Sequence, residues 1–499
     1  MQLSKSRFTT GLQCHRRLWW TVHERNAPEL QIDASLQVVF DHGSDVGEVA
    51  RGYIPGGVLI DLPHYEVKQR IADTRKALES GARVIYEASF KADDVFVAVD
   101  ILHRSKRGWI VTEVKSTASV KAAHIPDAAI QTHVVRKVGL DVARTEVMHL
   151  NTQCRHPNLA NLFTRADVTE QVEAELPAIP REVRRQLRML EGPLPDVDIG
   201  DHCNDPYDCP FVSRCWPEAP KDHVSTLYKI GRKRVEQLVE GGHESIHDLP
   251  GDVELSTIAD RQRRAVQRGE MVVEPGLGAA LAELEGPLAY LDFETVSLPI
   301  PVWQGCSPYD SVPVQLSCHI ENPRGALDHH EWLADGPDDP REPLARALIR
   351  ALRGAHTIVA YNASFEIERI RELADALPHL ASPLSDIAGR VRDLLPVVRN
   401  HVYHPEFGGG FGLKRVLPAL VPGLSHAQLE IQDGGVATAE LERLMFGGAE
   451  MSLAERAKLR AALLAYCELD TWGLVKIVET LREIGRRRAP GMDATKHAR

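Results

Sequence analysis

Cys14 and a downstream trio, Cys203, Cys209 and Cys215, are by type and spacing the residues best suited to chemistry in this 499-residue chain. The trio lies in HCNDPYDCPFVSRCW, where Pro206 and Pro210 force turns and Pro217 follows directly. Thiolates gathered on such turns suit a metal centre better than a core. Cys154, Cys306, Cys318 and Cys467 are isolated and read as inert.

A first acidic set lies between Cys14 and the trio. The apolar run VFVAVDIL carries Asp100, and thirteen residues later VTEVK carries Glu113 and Lys115, two apart and so on one strand face. Two carboxylates on neighbouring strands with a lysine beside them meet the needs of phosphodiester hydrolysis. The acids hold Mg2+ or Mn2+, and the lysine orients water or neutralises developing charge. Taken alone, the pattern equally fits a hairpin with polar residues facing water.

The second set is more dispersed. PLAYLDFETVSLP is an apolar strand with Asp292 and Glu294 on one face, a costly arrangement unless a divalent cation compensates it. HTIVAYNASFEIERI reads as a strand entering a helix, with Asn362 at the turn and Glu366 one turn later. LAYCELDTWGLVKI reads as a helix on which Tyr466 and Asp470, four apart, share a face. An acid pair on a strand, an acid on one helix and Tyr-x3-Asp on another form a two-metal constellation.

These residues need elements to position them. SKSRFTTGLQCHRRLWW predicts one capped basic helix. ARVIYEASF, DVFVAVDIL and GWIVTEVKS predict three successive strands, HIPDAAIQTHVVRKVGL a helix and RTEVMHLN a fourth strand. The class is therefore α/β, with modules at 1–220 and 286–485, a small helical segment at 222–275, and a basic, disordered tail at 486–499. In the middle segment, Gly231 precedes Arg232, Lys233 and Arg234, placing a glycine turn and positive charge at a helix start, as in a helix–hairpin–helix that holds a phosphate. A net charge of −11 argues against nonspecific coating of nucleic acid but leaves local basic patches open. The chain shows neither a membrane-length apolar run nor the apolar core of a signal peptide, so the expected compartment is the cytoplasm, where clustered thiols imply metal.

The first 220 residues resemble the RecB-type PD-(D/E)XK nucleases that carry an iron–sulfur cluster: D…ExK follows LQCHRRLW and is enclosed by Cys14 and the trio. The resemblance implies a restriction-endonuclease-like fold and a [4Fe–4S] cluster on Cys14, Cys203, Cys209 and Cys215, with zinc the alternative metal. It further implies Asp100 and Glu113 as metal ligands, Lys115 as the catalytic lysine, and His42 as an added ligand. The family often has Gln-x3-Tyr on the next helix; here Gln131 is present and Val135 takes the tyrosine position.

Residues 286–485 resemble the RNase H-like, DnaQ-type exonucleases of the tyrosine-bearing DEDD group. That resemblance implies Asp292, Glu294 and Asp470 as metal ligands and Tyr466 as the residue orienting the attacking water. The group's third acid is an aspartate; here Glu366 stands after Asn362-Ala363-Ser364-Phe365, with Asp393 as an alternative. Lys414, in GGGFGLKRVLP, and Asn362 are expected at the nucleic-acid strand. Together the resemblances imply a metal-dependent iron–sulfur exonuclease on single-stranded DNA with two active sites. Two alternatives stand beside it: an RNA exonuclease, and a nucleic-acid-binding or redox-sensing protein with one or both nuclease sites inactive.

Overall fold

The computed structural model describes residues 2–216, 221–322, 324–448 and 451–487. It is a mixed α/β protein in two compact units: Met1–Glu218 with Ser297–Asp310, and Ala219–Val296 with Ser311–Arg499. Among the described residues no helix is long and apolar enough to cross a membrane.

The first unit runs β1 (Leu3–Ser4), α1 (Lys5–Gln13), α2 (His15–His23), α3 (Ala34–Arg51), β2 (Val58–Leu59), α4 (Val67–Glu79), β3 (Val84–Ala92), β4 (Val95–Arg104), β5 (Trp109–Lys115), α5 (His124–Lys137), β6 (Val142–Leu150), β7 (Phe163–Asp167), α6 (Thr169–Glu175), α7 (Ile179–Leu190) and α8 (Val212–Cys215). Its sheet has the order β2-β3-β4-β5-β6-β7, with β1 beside β4. The β-branched runs form the antiparallel meander β3-β4-β5, and α5 supplies the crossover that lets β6 pair parallel to β5. The helix expected at 4–20 is broken. Ser4 caps α1 through the Arg7 amide at 3.2 Å, and Cys14, at φ −158° and ψ 124°, ends it before α2 begins. An extended residue cannot continue a helix, so the break re-aims the chain at the cysteine itself.

The second unit runs α9 (Arg232–Glu240), α10 (Thr257–Arg268), β8 (Val272–Val273), α11 (Leu277–Ala282), β9 (Leu288–Val296), β10 (Val312–Glu321), β11 (Leu327–Leu333), α12 (Arg341–Ala351), β12 (Thr357–Ala360), α13 (Ser364–Ala376), α14 (Ala381–Arg390), β13 (Val391–Asp393), α15 (Leu394–His401), β14 (Val402–Tyr403), α16 (Leu413–Leu420), α17 (Gly434–Phe446) and α18 (Leu453–Arg487). Its main sheet has the order β11-β10-β9-β12-β13. Along β9, Leu291 and Phe293 are buried in a core shared with α12, α13 and α14. Each contributes roughly 1.5–3 kcal/mol by leaving water. Tyr290 alternates to the other face, in a core shared with α16 and α18, and the same alternation puts Asp292 and Glu294 there.

Two boundaries differ from the expectation. Residues 297–310, between β9 and β10, belong to the first unit, where Ser307 Oγ donates to the Cys154 carbonyl at 2.7 Å and Tyr309 Oη to that of Ser116. The 222–275 segment falls within the second unit. Of the tail expected from 486, Arg486 and Arg487 close α18, and residues 488–499 lie outside the described residues.

Candidate metal and active sites

Cys14, Cys203, Cys209 and Cys215 line one pocket, together with Arg16, Arg17, Trp20 and His202. The α1–α2 break delivers Cys14, and the turns at 201–215 deliver the trio. Gln13 Nε2 joins the two stretches, donating to the carbonyls of His202 at 2.8 Å and Tyr207 at 2.6 Å. Arg16 Nη1 lies 3.7 Å from Cys215 Sγ, and Trp20 and Phe211 pack behind Cys209 and Cys215.

In the first acidic site, β4 and β5 pair with Ile101 opposite Thr112, so Asp100 and Glu113 form the next facing pair. Asp100 Oδ2 accepts the Val114 amide at 2.7 Å. Glu113, 1% exposed, is ringed by donors. Its Oε1 lies 2.7 Å from Lys5 Nζ and 2.8 Å from Lys115 Nζ, while Gln131 Nε2 donates to its Oε2. Lys115 is held from the other side by Asp127 at 2.5 Å. Burial would raise the Glu113 carboxyl, but the two ammonium groups outweigh it and hold it well below the usual range. Asp100 lacks such partners: burial, then the Glu113 charge, push it up to about 7.

Lys5, Asp127 and Glu87 carried no sequence signal for this site. Glu87 is a non-glycine residue at φ +58° within β3, between the pairs Tyr86–Ile101 and Ala88–Val99, which sets it across from Asp100. Its charge adds to the rise of Asp100, and Arg70 pairs with it at 3.2 Å. His42 lies on α3, partly buried. Among the described residues, no set of three histidine, cysteine or carboxylate ligand atoms within 4.8 Å of one another includes His42, Asp100 or Glu113. Val135, at the position where the family often has tyrosine, is fully buried in the first unit's hydrophobic core.

The second site is tighter. Asp292 and Glu294 from β9 and Asp470 from α18 present ligand atoms within 4.8 Å of one another. Burial, then Asp470, raise Asp292 well above the carboxylate range and Glu294 to about 8. Glu366, on the first turn of α13, is 4% exposed, and its Oε2 has no hydrogen-bond partner. Burial pushes it up to about 7, and its charge in turn raises Asp292 and Glu294. The alternative acid, Asp393, is otherwise engaged: its Oδ1 accepts the amides of Asn362 and Leu395, both at 2.9 Å, capping α15. Glu366, rather than Asp393, thus keeps a free carboxylate oxygen near Asp292 and Glu294, and Asn362, at φ +63°, makes the turn that starts α13.

Tyr466 is 3% exposed, and its hydroxyl is held protonated by burial and then by Asp470. Lys414 Nζ lies 5.1 Å from its ring centroid and donates to the Gln432 carbonyl at 2.8 Å. Two contacts escaped the sequence reading. His426 Nε2 lies 2.9 Å from Asp470 Oδ1, with the pair 4% and 11% exposed. Cys467, set aside as inert, points its Sγ at Asp292 Oδ2 at 3.5 Å.

Beside this site lies an open groove of about 680 Å3, lined by Ser225, Thr226, Gly408–Gly410, Lys414, Arg415 and Asp470. Gly409, at φ +82°, is required there: a Cβ would sit 1.9 Å from the Thr226 carbonyl oxygen. The expected helix–hairpin–helix is incomplete. Before Gly231 there is only the three-residue turn Val224–Thr226, because Lys229, at φ +51°, reverses the chain. Gly231 does cap α9, and Arg232, Lys233 and Arg234 are exposed, with Arg232 paired to Glu236 at 2.9 Å.

Residues 289–412 match the model of a domain of unknown function, DUF2779. That stretch holds Asp292, Glu294 and Glu366 but ends before Lys414, His426, Tyr466 and Asp470. No curated protein matches the chain. Among solved structures, the chain is similar to the family B DNA polymerase from the hyperthermophilic archaeon Pyrobaculum calidifontis, at 15% identity and a TM-score of 0.26. The likeness covers 40% of this chain and 26% of the polymerase, and is too slight to carry an argument.

Proposed function

We propose that the protein is a metal-dependent nuclease that hydrolyses phosphodiester bonds of single-stranded DNA, as an exonuclease, with an active site in each unit. The observation that carries this reading is the convergence of Asp292, Glu294 and Asp470 within 4.8 Å, with the unpartnered Glu366 carboxylate beside them. Carboxyls raised by burial and by one another, with Lys414 offsetting only part of the rise at Glu294, are what a site for divalent cations presents when its ligands are counted alone. On this reading the second unit holds a DnaQ-like, RNase H-fold domain and the first a RecB-type, restriction-endonuclease-like one.

Bound Mg2+ or Mn2+ would supply the positive charge that activates water and steadies the phosphate. The chain's own groups do the rest. Asp292, Glu294 and Asp470 would hold the cations, His426 orients Asp470, and the protonated Tyr466 hydroxyl would serve as a hydrogen-bond donor to water. Lys414 and Arg415, on the groove that includes Asp470, attract the phosphate chain. In the first unit, Lys115, anchored by Asp127, holds positive charge beside Glu113 and Asp100.

The cysteine pocket is assigned to a [4Fe–4S] cluster. What supports the assignment is that all four thiols line one pocket beside Arg16 and Arg17, with zinc the alternative metal. The test is end-labelled single-stranded DNA and RNA incubated with anaerobically purified, cluster-loaded protein and Mn2+. Laddered loss of label from DNA is expected; absence of cleavage of either polymer refutes the reading.

A further inference from the structure

The second unit carries another cluster of ligand groups that the carboxylate site does not use. His319 on β10, His329 on β11 and Glu468 on α18 each offer a ligand atom within 4.8 Å of the other two. His319 is 5% exposed, whereas the side chains of His329 and Glu468 are 23% and 50% exposed, so the cluster opens to solvent on one side.

What separates this cluster from a merely buried histidine pair is how its rings are held. His319 Nδ1 lies 2.9 Å from Thr471 Oγ1, and His329 Nε2 lies 3.0 Å from Ser317 Oγ. Those two hydroxyls are themselves 2.7 Å apart, so one Ser–Thr pair fixes both imidazoles. The opposite nitrogens remain for a ligand: His329 Nδ1 faces Glu468 Oε1 at 3.7 Å, and His319 Nε2 has no protein partner among the described residues. Orientation of each imidazole through its second nitrogen is the usual support of a metal-ligating histidine. The two rings are neighbours, stacked with centroids 4.4 Å apart.

We propose that His319, His329 and Glu468 form a binding site for a first-row transition cation of the Zn2+ class. Two imidazoles and one carboxylate favour such an ion over Mg2+, which prefers oxygen ligands and retained water. The remaining positions are filled by water from the open side. The ion ties β10 and β11 to α18 two residues before Asp470, and so braces the helix that carries Asp470 and Tyr466. This site stands apart from the proposed nuclease chemistry and does not depend on it.

The experiment is Zn2+ binding to the full chain with its cysteine centre intact, followed by calorimetry and by thermal melting, without nucleic acid. Of the Zn2+ that wild-type protein binds, one equivalent is expected to be bound at least tenfold more weakly by His329→Ala and Glu468→Gln. With the carboxylate site disabled by Asp292→Asn, Zn2+ should still raise the Tm, and adding His329→Ala should remove that rise. Asp292→Asn should bind that equivalent like the wild type. Equal binding by wild type and His329→Ala overturns the proposal, as does its loss in Asp292→Asn, which would assign the ion to the carboxylate site. Both partly exposed positions tolerate substitution, so the test does not depend on altering the buried His319. A protein that binds Zn2+ here yet cleaves nothing would sink the nuclease reading and leave this one standing.

Discussion

Lys5 Nζ lies 2.7 Å from Glu113 Oε1, the same oxygen that Lys115 approaches at 2.8 Å. Lys115 is anchored a second time by Asp127, whereas Lys5 arrives from α1, whose other end is capped by Cys14. One nine-residue helix thus spans the distance between the cysteine pocket and the first acidic site. Since both ammonium groups crowd one carboxylate oxygen, a divalent cation at Glu113 must displace the less anchored one. Lys5→Ala is therefore expected to tighten Mn2+ binding at this site several-fold, measured by calorimetry in an Asp292→Asn background. Lys115→Ala should instead abolish cleavage by the first unit.

Asp292→Asn removes a buried carboxyl that, without a cationic partner, folding must either leave charged or protonate at a cost. The expected outcome is a metal-free protein stabilised by about 1–3 kcal/mol, because the desolvation cost of that charge disappears. Mn2+-dependent cleavage by the second unit should fall at least a hundredfold in the same variant. Melting curves in a chelator, paired with nuclease assays, check both signs.

The raised carboxyls also set a pH dependence. In the folded chain burial first, then neighbouring acids, push the Glu294 carboxyl up to about 8 and that of Glu366 up to about 7, from an ordinary value of 4.5. Between those values the folded state holds more protons than the unfolded one, so stability is greatest below about 4.5 on this account and falls as pH rises through 7 to 8. Urea midpoints of metal-free protein should decline across that window. Saturating Mn2+ should flatten the decline by supplying the missing positive charge.

His426→Ala should lower kcat of the second site about tenfold or more while leaving the Tm within a few degrees, since the change frees Asp470 Oδ1 without opening the main core. His426→Gln, which retains a donor, should restore part of the rate.

Gly409→Ala is expected to destabilise the second unit by more than about 2 kcal/mol, as it combines a positive φ with a clash against the Thr226 carbonyl. A drop in Tm without a change in the first unit's metal binding would confirm it.

On the proposed reading Cys14→Ser should cost the visible absorbance of an iron–sulfur centre and reduce first-unit activity, because the residue would ligate the cluster and also ends α1. Reconstitution under anaerobic conditions, followed by absorbance and iron analysis, measures the loss.

Much of the second site was legible in the chain because its logic is local. A period of two puts Asp292 and Glu294 on one face of β9 and Leu291 and Phe293 on the other, and a spacing of four aligns Tyr466 with Asp470. The D…ExK strands are readable for the same reason: β-branched runs and turns declare a hairpin without reference to anything distant. The choice between Glu366 and Asp393 was open in the sequence; the fold gives Asp393 two backbone amides to accept and leaves Glu366 Oε2 without a partner.

The linear chain by itself determined the alternation and helical periodicities, hence the α/β class and the faces on which the acids stand. Tertiary structure alone decided that Lys5 reaches Glu113 across 108 residues, that His426 meets Asp470, that Cys467 touches Asp292, and that His319, His329 and Glu468 converge. It also decided that residues 297–310 leave the second unit's sheet for the first unit. The physical reason is that periodicity is dictated by sterics and burial within a few residues. Which distant side chains become neighbours depends on how whole sheets and helices pack, and no short stretch of chain encodes that.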